Sequence, residues 1–292
     1  MINVDIMQDA SEIVHYDRPG IPLYIRLGCL SIYPEMRALG HWHQDMELIY
    51  MRSGEMNYSI NGQTILLSPG DTLFVSPRQM HYGYHNNGKD CQYICVLCHP
   101  SLFSGNPCIQ DAYINRLSAG APYLHFHNKK EIGGHMNSIW QIKENALPGY
   151  ELDILGHLQL ILGQVFRESA SAVQGKETDM DLKLLRDMVA YIQQHYAGPL
   201  TLDKIAAAGK VGRSKCCQLF KTYIQESPMA FLNDYRLEVS SHLLKTSASD
   251  ISEIAFSCGF NHLSYFSKQF ARKFGCTPSA FRRNSFSSGP FT

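Results

Sequence analysis

The sequence predicts two domains of different class. The first is an N-terminal all-β barrel extended by a helical hairpin. The second is a C-terminal all-α domain with two helix-turn-helix motifs joined by a long helix. Three observations carry this. Short apolar runs broken by turn residues fill the first hundred positions, apolar spacing lengthens to three and four residues beyond Pro107, and a pattern near the C-terminus repeats at about 50 residues. A chain of 292 residues is long enough for two cores.

The β-type runs begin at Leu23–Leu27, continue through Met46–Met51, Asn57–Ile60, Thr64–Leu67 and Thr72–Val75, and end at Gln92–Leu97. Asn61-Gly62 between two of them is a strong signal for a two-residue hairpin, because both residues tolerate positive φ. Pro69-Gly70-Asp71 and Ser76-Pro77 mark further turns. Many short strands at even spacing point to a sandwich or small barrel over residues 1–105.

Residues 106–172 read as helical. A stretch from about Lys130 to Asn145 leads into Glu151–Ala170, where Leu152, Leu155, Leu158, Leu162 and Val165 recur at helical steps, widened by Ile154 and Ile161. This stripe serves either an intrachain hairpin or a dimer seam, and a homodimer is the expectation. Residues 173–180 read as a linker, 181–284 as the second domain and 285–292 as a tail.

The repeat is the most specific feature. Phe220 and Phe270, Pro228 and Pro278, and Phe231 and Phe281 each lie 50 residues apart, and Ala206 and Ala255 lie 49 apart. Each copy is a short helix, a turn and a second helix. Asp250 with Glu253 forms a capping pair, Gly259 supplies the turn, and Asn261 is placed to cap a helix running from His262 to about Lys273. Ser227-Pro228 and Thr277-Pro278 each put proline at a first helical position. The small Ala206 and Ala255 fit where paired helices cross closely, and the repeated phenylalanines belong to the core. Between the copies, Pro228 to about Lys245 forms a helix of roughly 27 Å at 1.5 Å per residue. That length suits two reading helices set about one DNA turn apart.

Residues 200–283 resemble the DNA-binding domain of the AraC/XylS family, most closely in ISEIAFSCGFNHLSYFSKQFARKFGCTPSAFR, residues 251–282. The first copy departs from the family pattern at Gly212, Cys216 and Gln218, so its base preference shifts from guanine toward adenine. The resemblance implies double-stranded DNA as a partner. It places base reading on Arg213, Ser214, Cys217, Gln218 and Lys221 in the first copy, and on His262, Leu263, Ser264, Ser267 and Lys268 in the second. Lys221, Arg272 and Lys273 are expected to contact phosphates, which position a protein without specifying sequence.

Charge agrees with this division. From Asp181 to the C-terminus there are 14 Lys and Arg against 8 Asp and Glu, which leaves 12 against 18 for the remainder. A basic end beside an acidic one suits a single polyanion-binding end. Early acids (Asp5, Asp9, Glu12) and the lack of an apolar stretch argue against a leader or a membrane anchor, so a cytoplasmic protein is expected. Nine cysteines without framework spacing fit reduced thiols. Cys95-x-x-Cys98-His99 copies a haem-attachment pattern, but lies in a β-type run and is set aside.

The N-terminal part carries His41-Trp42-His43 followed by Glu47 and Gly54, and a second motif, GDTLFVSPRQMH, ending at His81. Together they resemble the two motifs of the cupin fold, with Arg78 in place of a usual glycine. On a strand His41 and His43 share a face, so three imidazoles and a carboxylate can converge inside a barrel. No cofactor is required by this pattern, but His41, His43, Glu47 and His81 also form a donor set for a divalent metal. In the favoured reading His43, Glu47 and His81 bind effector hydroxyls, while Tyr24, Trp42 or Tyr82 stacks on a sugar or aromatic ring.

The expected function is therefore a sequence-specific transcription regulator, an activator by family habit and a non-enzyme. A small molecule, by default a sugar, controls it, and RNA polymerase is a further partner. The rival reading is a metal-dependent cupin oxygenase or isomerase carrying a DNA-binding module.

Overall fold

The computed structural model describes residues 14, 16–18, 20–169 and 179–287. They form two compact units, one built mainly from residues up to 178 and the other from residues 179 onward. Among the described residues no helix is long and apolar enough to cross a membrane.

In the N-terminal unit the strands are β1 (Leu23–Cys29), β2 (Met46–Ser53), β3 (Met56–Ile60), β4 (Gln63–Leu67), β5 (Thr72–Val75), β6 (His81–His85) and β7 (Gln92–Cys98). Helices α1 (Pro107–Ile109) and α2 (Asn115–Ala119) precede β8 (Tyr123–Phe126), and α3 (Lys130–Asn145) and α4 (Tyr150–Ser169) close the unit. A five-stranded sheet in the order β1-β7-β2-β5-β8 faces a three-stranded sheet, β4-β3-β6, and every pairing is antiparallel. The β3–β4 hairpin turns on Asn61 and Gly62, with φ of 50° and 82°, as its Asn-Gly dipeptide requires.

Strand alternation gives the large sheet two apolar faces. Ile25, Leu48, Phe74, Ile94 and Val96 project outward, where Ile132, Met136 and Ile139 of α3 and Ile154, Leu158, Ile161 and Val165 of α4 cover them. The apolar stripe of α4 thus serves an intrachain core. Leu152, counted in that stripe from its spacing, is instead 74% exposed, and Leu160 is 56% exposed.

Residues 106–172 are not wholly helical. Tyr123–Phe126 forms β8, which pairs with β5 and extends the large sheet, so the β architecture reaches past residue 105. Helix α5 (Asp179–His195) begins inside the interval read as linker, and residues 173–178 lie outside the described residues.

In the C-terminal unit α5 is followed by the first helix pair, α6 (Leu202–Ala208) and α7 (Arg213–Tyr223). The long α8 (Pro228–Thr246) leads to the second pair, α9 (Ile251–Ser257) and α10 (Leu263–Phe274), and to α11 (Pro278–Ser287). Helix α11 runs past residue 284 into the interval read as tail, of which 288–292 lie outside the described residues. Phe220, Phe231, Phe270 and Phe281 are all buried, as the repeat required. Asp250 and Glu253 form a capping box on α9, and Ser227 caps α8 by accepting from the Ala230 N–H. The cap of α10 is His262 rather than Asn261, so the helix begins at Leu263.

Candidate functional site

The bridge between His41 and His81 brings the segment before β2 against β6 and fixes the histidine cluster. His41, His43, Glu47 and His81 are all buried. The His41 and His81 ring centroids lie 4.4 Å apart, and those of His43 and His81 4.8 Å.

Each imidazole is held through Nδ1 by a backbone carbonyl. His41 donates to Leu39 O at 2.8 Å, His43 to Asp45 O at 3.0 Å and His81 to Gln79 O at 2.8 Å. A carbonyl only accepts, so Nδ1 carries the hydrogen in all three rings and the Nε2 atoms are left for other contacts. His81 Nε2 lies 3.0 Å from Glu47 Oε2 as a close ion-pair contact, although this buried nitrogen makes no hydrogen bond of regular geometry among the described residues. His43 Nε2 is 3.8 Å from the same oxygen, and this buried atom meets no hydrogen-bond partner among the described residues.

Two residues unmarked by the sequence motifs complete the surroundings of Glu47. The Tyr58 hydroxyl donates to Oε2 at 3.0 Å, and the Cys95 thiol approaches Oε1 at 3.6 Å. Burial raises the Glu47 carboxyl, but His81 and His43 more than offset it and hold the group well below its ordinary value. Burial, then the charge of Glu47, raises the Tyr58 hydroxyl well above its own. The His41 imidazole is pushed down to about 3, by burial first and then by His81 and His43.

Of the other three residues expected at this site, Tyr82 and Trp42 alternate away from the histidines and Tyr24 shares the sheet face of Glu47. Tyr82 is next to His81 on β6, so it projects from the opposite face, where the Arg37 guanidinium lies 4.4 Å from its ring centroid. Trp42 lies between His41 and His43 and is buried away from their shared side by the same alternation. Tyr24 is half-buried on β1, where its register through Leu97 puts it on the same face of the large sheet as Glu47, with the Arg26 guanidinium 4.8 Å from its ring centroid.

In the C-terminal unit α7 exposes Arg213, Ser214, Gln218 and Lys221, and Cys217 is half-buried. Helix α10 exposes His262, Leu263, Ser264, Lys268 and Arg272, and Ser267 is half-buried. Arg213 forks onto both carboxylate oxygens of Asp203, and both side chains are exposed. Lys273 is corrected by the structure. Only 11% of its side chain is exposed, and its ammonium lies 3.1 Å from Asp234 and 3.2 Å from Glu238 on α8. It ties α10 to α8, so its ammonium is engaged within the unit rather than presented at the surface.

Residues 33–162 match the AraC-like ligand binding domain, and residues 205–284 match a helix-turn-helix domain. The chain is 27% identical over 249 residues to the HTH-type transcriptional regulator YdeC of Bacillus subtilis, covering 83% of this chain and 85% of that protein. It is 25% identical over 259 residues to the HTH-type transcriptional activator RhaS of Escherichia fergusonii, covering 83% and 87%. Among solved structures, ToxT of Vibrio cholerae aligns with a TM-score of 0.49 at 11% identity, over 92% of this chain and 99% of that one.

Proposed function

The chain belongs to the AraC family of transcription regulators, with a ligand-binding domain and a helix-turn-helix DNA-binding domain; from that premise we propose that it is a cytoplasmic activator reading two successive major-groove segments under control of a barrel-bound effector. The observation that carries the DNA reading is the matched presentation of α7 and α10. Each buries its repeated phenylalanine and turns polar and basic side chains outward. Gln218 suits adenine, and exposed Leu263 suits the methyl group of thymine. The name of the RhaS relative supports activation, in which contact with RNA polymerase is the expected output.

The effector enters this reading at His43, Glu47 and His81, whose Nε2 and carboxylate atoms suit the hydroxyls of a sugar. Exposed Leu152 and Leu160 on α4, with Gly156 between them, form a ridge for a second copy, which makes the active species a homodimer. The test is binding of the purified protein to DNA from upstream of its own and neighbouring genes, at two salt concentrations with excess competitor. Selective, salt-sensitive binding that shifts with one candidate sugar supports the reading, and failure of the folded protein to select any fragment refutes it.

One observation favours a second occupant of the cluster. Nδ1 tethering of metal-ligating histidines to carbonyls is the usual outer-shell support of a metal site, and the buried, unpaired Nε2 of His43 asks for a partner. His41, His43, Glu47 and His81 would hold a divalent ion through imidazole nitrogens and the carboxylate, and the ion would supply a charge that binds effector oxygens. Metal analysis of protein purified without added metal decides this. Near-stoichiometric metal that is lost in His43→Ala supports it, and metal-free protein with full effector response sinks it.

A further inference from the structure

The N-terminal unit holds a cavity of about 790 Å³ outside the histidine cluster, with which it shares no lining residue. That volume lies within the range of small-molecule sites, which are mainly apolar with a few directed polar groups. The walls fit this description. Phe103, Ile114 and Leu117 face Leu162 and Phe166 of α4 across it. Ile109 and Tyr113 lie at its exposed lip, and the Tyr113 ring stands edge-on to Phe166 with centroids 5.0 Å apart. This wall includes a π-helical turn, Gln110–Ile114, between α1 and α2. Such turns recur at functional sites, because the extra residue displaces backbone from regular packing.

The polar rim is made of donors. The Asn106 carbonyl oxygen is occupied in capping α1, where it accepts from the Cys108 and Ile109 N–H groups, so its amide nitrogen is the group left to offer. Gln159 contributes a second amide. Arg167 contributes the cation, and among the described residues it meets no carboxylate. Glu168 beside it is held 3.0 Å from Lys129. The Arg167 guanidinium lies back along α4, with Nη1 3.5 Å from where a Cβ on Gly163 would stand, an ordinary contact distance, and both residues line the cavity.

We propose that this cavity binds an amphiphilic monocarboxylate, its apolar body between Leu162, Phe166 and Ile114 and its carboxylate on Arg167 with support from Gln159 and Asn106. Charge complementarity selects the occupant. An uncharged apolar guest leaves the guanidinium unanswered, whereas a carboxylate takes a charge-assisted and geometrically suited pair. The binding claim stands independently of the proposed function, and only its effect on DNA rests on that reading.

The test is calorimetric titration of the full-length protein with 6-phenylhexanoate, using 6-phenylhexanol as the uncharged match. Saturable one-to-one binding is expected, weakened about tenfold or more for the alcohol and for Arg167→Gln, an exposed position whose variant is checked for an unchanged melting curve. Added sugar is expected not to compete, because the histidine cluster is a separate site. Absence of saturable heat overturns the proposal, as does equal binding by Arg167→Gln. Binding that disappears as protein concentration drives dimerisation also overturns it, because the groove is then the seat of a second copy. Binding without change in operator affinity keeps the site and refutes a regulatory role for it.

Discussion

Glu47 is a buried carboxylate whose neighbours all depend on it. Replacing it by alanine removes the carboxylate that the Tyr58 hydroxyl and His81 Nε2 approach inside the fold, and removing one partner of a buried ionic group costs about 3–5 kcal/mol. Both tryptophans, Trp42 and Trp140, lie in the N-terminal unit, so urea unfolding followed by tryptophan fluorescence reads this unit alone. A loss below about 1 kcal/mol would show that the contact contributes little to the fold. His41 sets a pH dependence at the same place. Its folded-state value of about 3 lies below the ordinary 6.5, so the unfolded chain takes up the proton first as pH falls. Stability is full above about pH 6.5 and declines toward pH 3, by up to about 1.4 kcal/mol per pH unit. Urea midpoints at pH 7, 6 and 5 should fall in order, and a flat series contradicts the assignment. Lys273 and Lys268 separate structure from recognition in the other unit. Lys273→Ala strands two acids on α8 and should cost about 1–2 kcal/mol of stability, while the folded fraction keeps its DNA affinity. Lys268→Ala should leave the melting temperature unchanged and weaken operator binding by about 1–3 kcal/mol at matched salt, if it reads a base.

The turn between α9 and α10 is fixed by one residue. Gly259 has φ +84°, and a Cβ there would stand 2.5 Å from the backbone oxygen of Tyr196 and 3.0 Å from that of Ala197. Gly259→Ala combines strain with a backbone clash and should destabilise the C-terminal unit by about 1–3 kcal/mol, seen as an earlier thermal transition by circular dichroism. The turn itself was readable in the sequence, because Gly259 interrupts two helical patterns; at the matching turn of the first copy Lys210 takes the positive φ, 53°. The same holds for the capping box of α9 and the Asn61-Gly62 hairpin, whose signals are local. What local spacing lacks is the partner across the fold. β8 is four residues long, and its hydrogen bonds run to β5, about 50 positions earlier, so nothing within its own neighbourhood marks it as a strand. Tyr58 can be placed on an inward face by alternation, but only the facing of the two sheets brings it to Glu47. Lys273 lies on a basic helix, while the acids that hold it lie on α8. Tyr82 and Trp42 are a different case. Alternation with His81 and with His41 and His43 already sends them away from the cluster, and that signal was present in the sequence.

At the scale of the molecule, the repeat and the change of period divided the chain, and under the proposed function the continuous helix α8 sets how α7 and α10 act together on DNA. Helix α8 has 19 residues, about 28 Å of rigid rod, and it packs against both α7 and α9. Two reading helices held by one rod can meet two major-groove segments only at a fixed distance and on one face of the duplex. Five added base pairs between those segments turn the second to the opposite face, so binding should fall to the level of one unit alone. Ten added base pairs restore the face but add about 34 Å. A flexible tether would recover affinity with that insertion, and so would two units supplied by separate copies of the chain. The rod cannot lengthen, so both insertions should bind equally poorly. Competition titrations with the three duplexes at one salt concentration measure this, and recovery with ten base pairs would overturn rigid reading by a single chain, in favour of a flexible tether or of two units from separate copies.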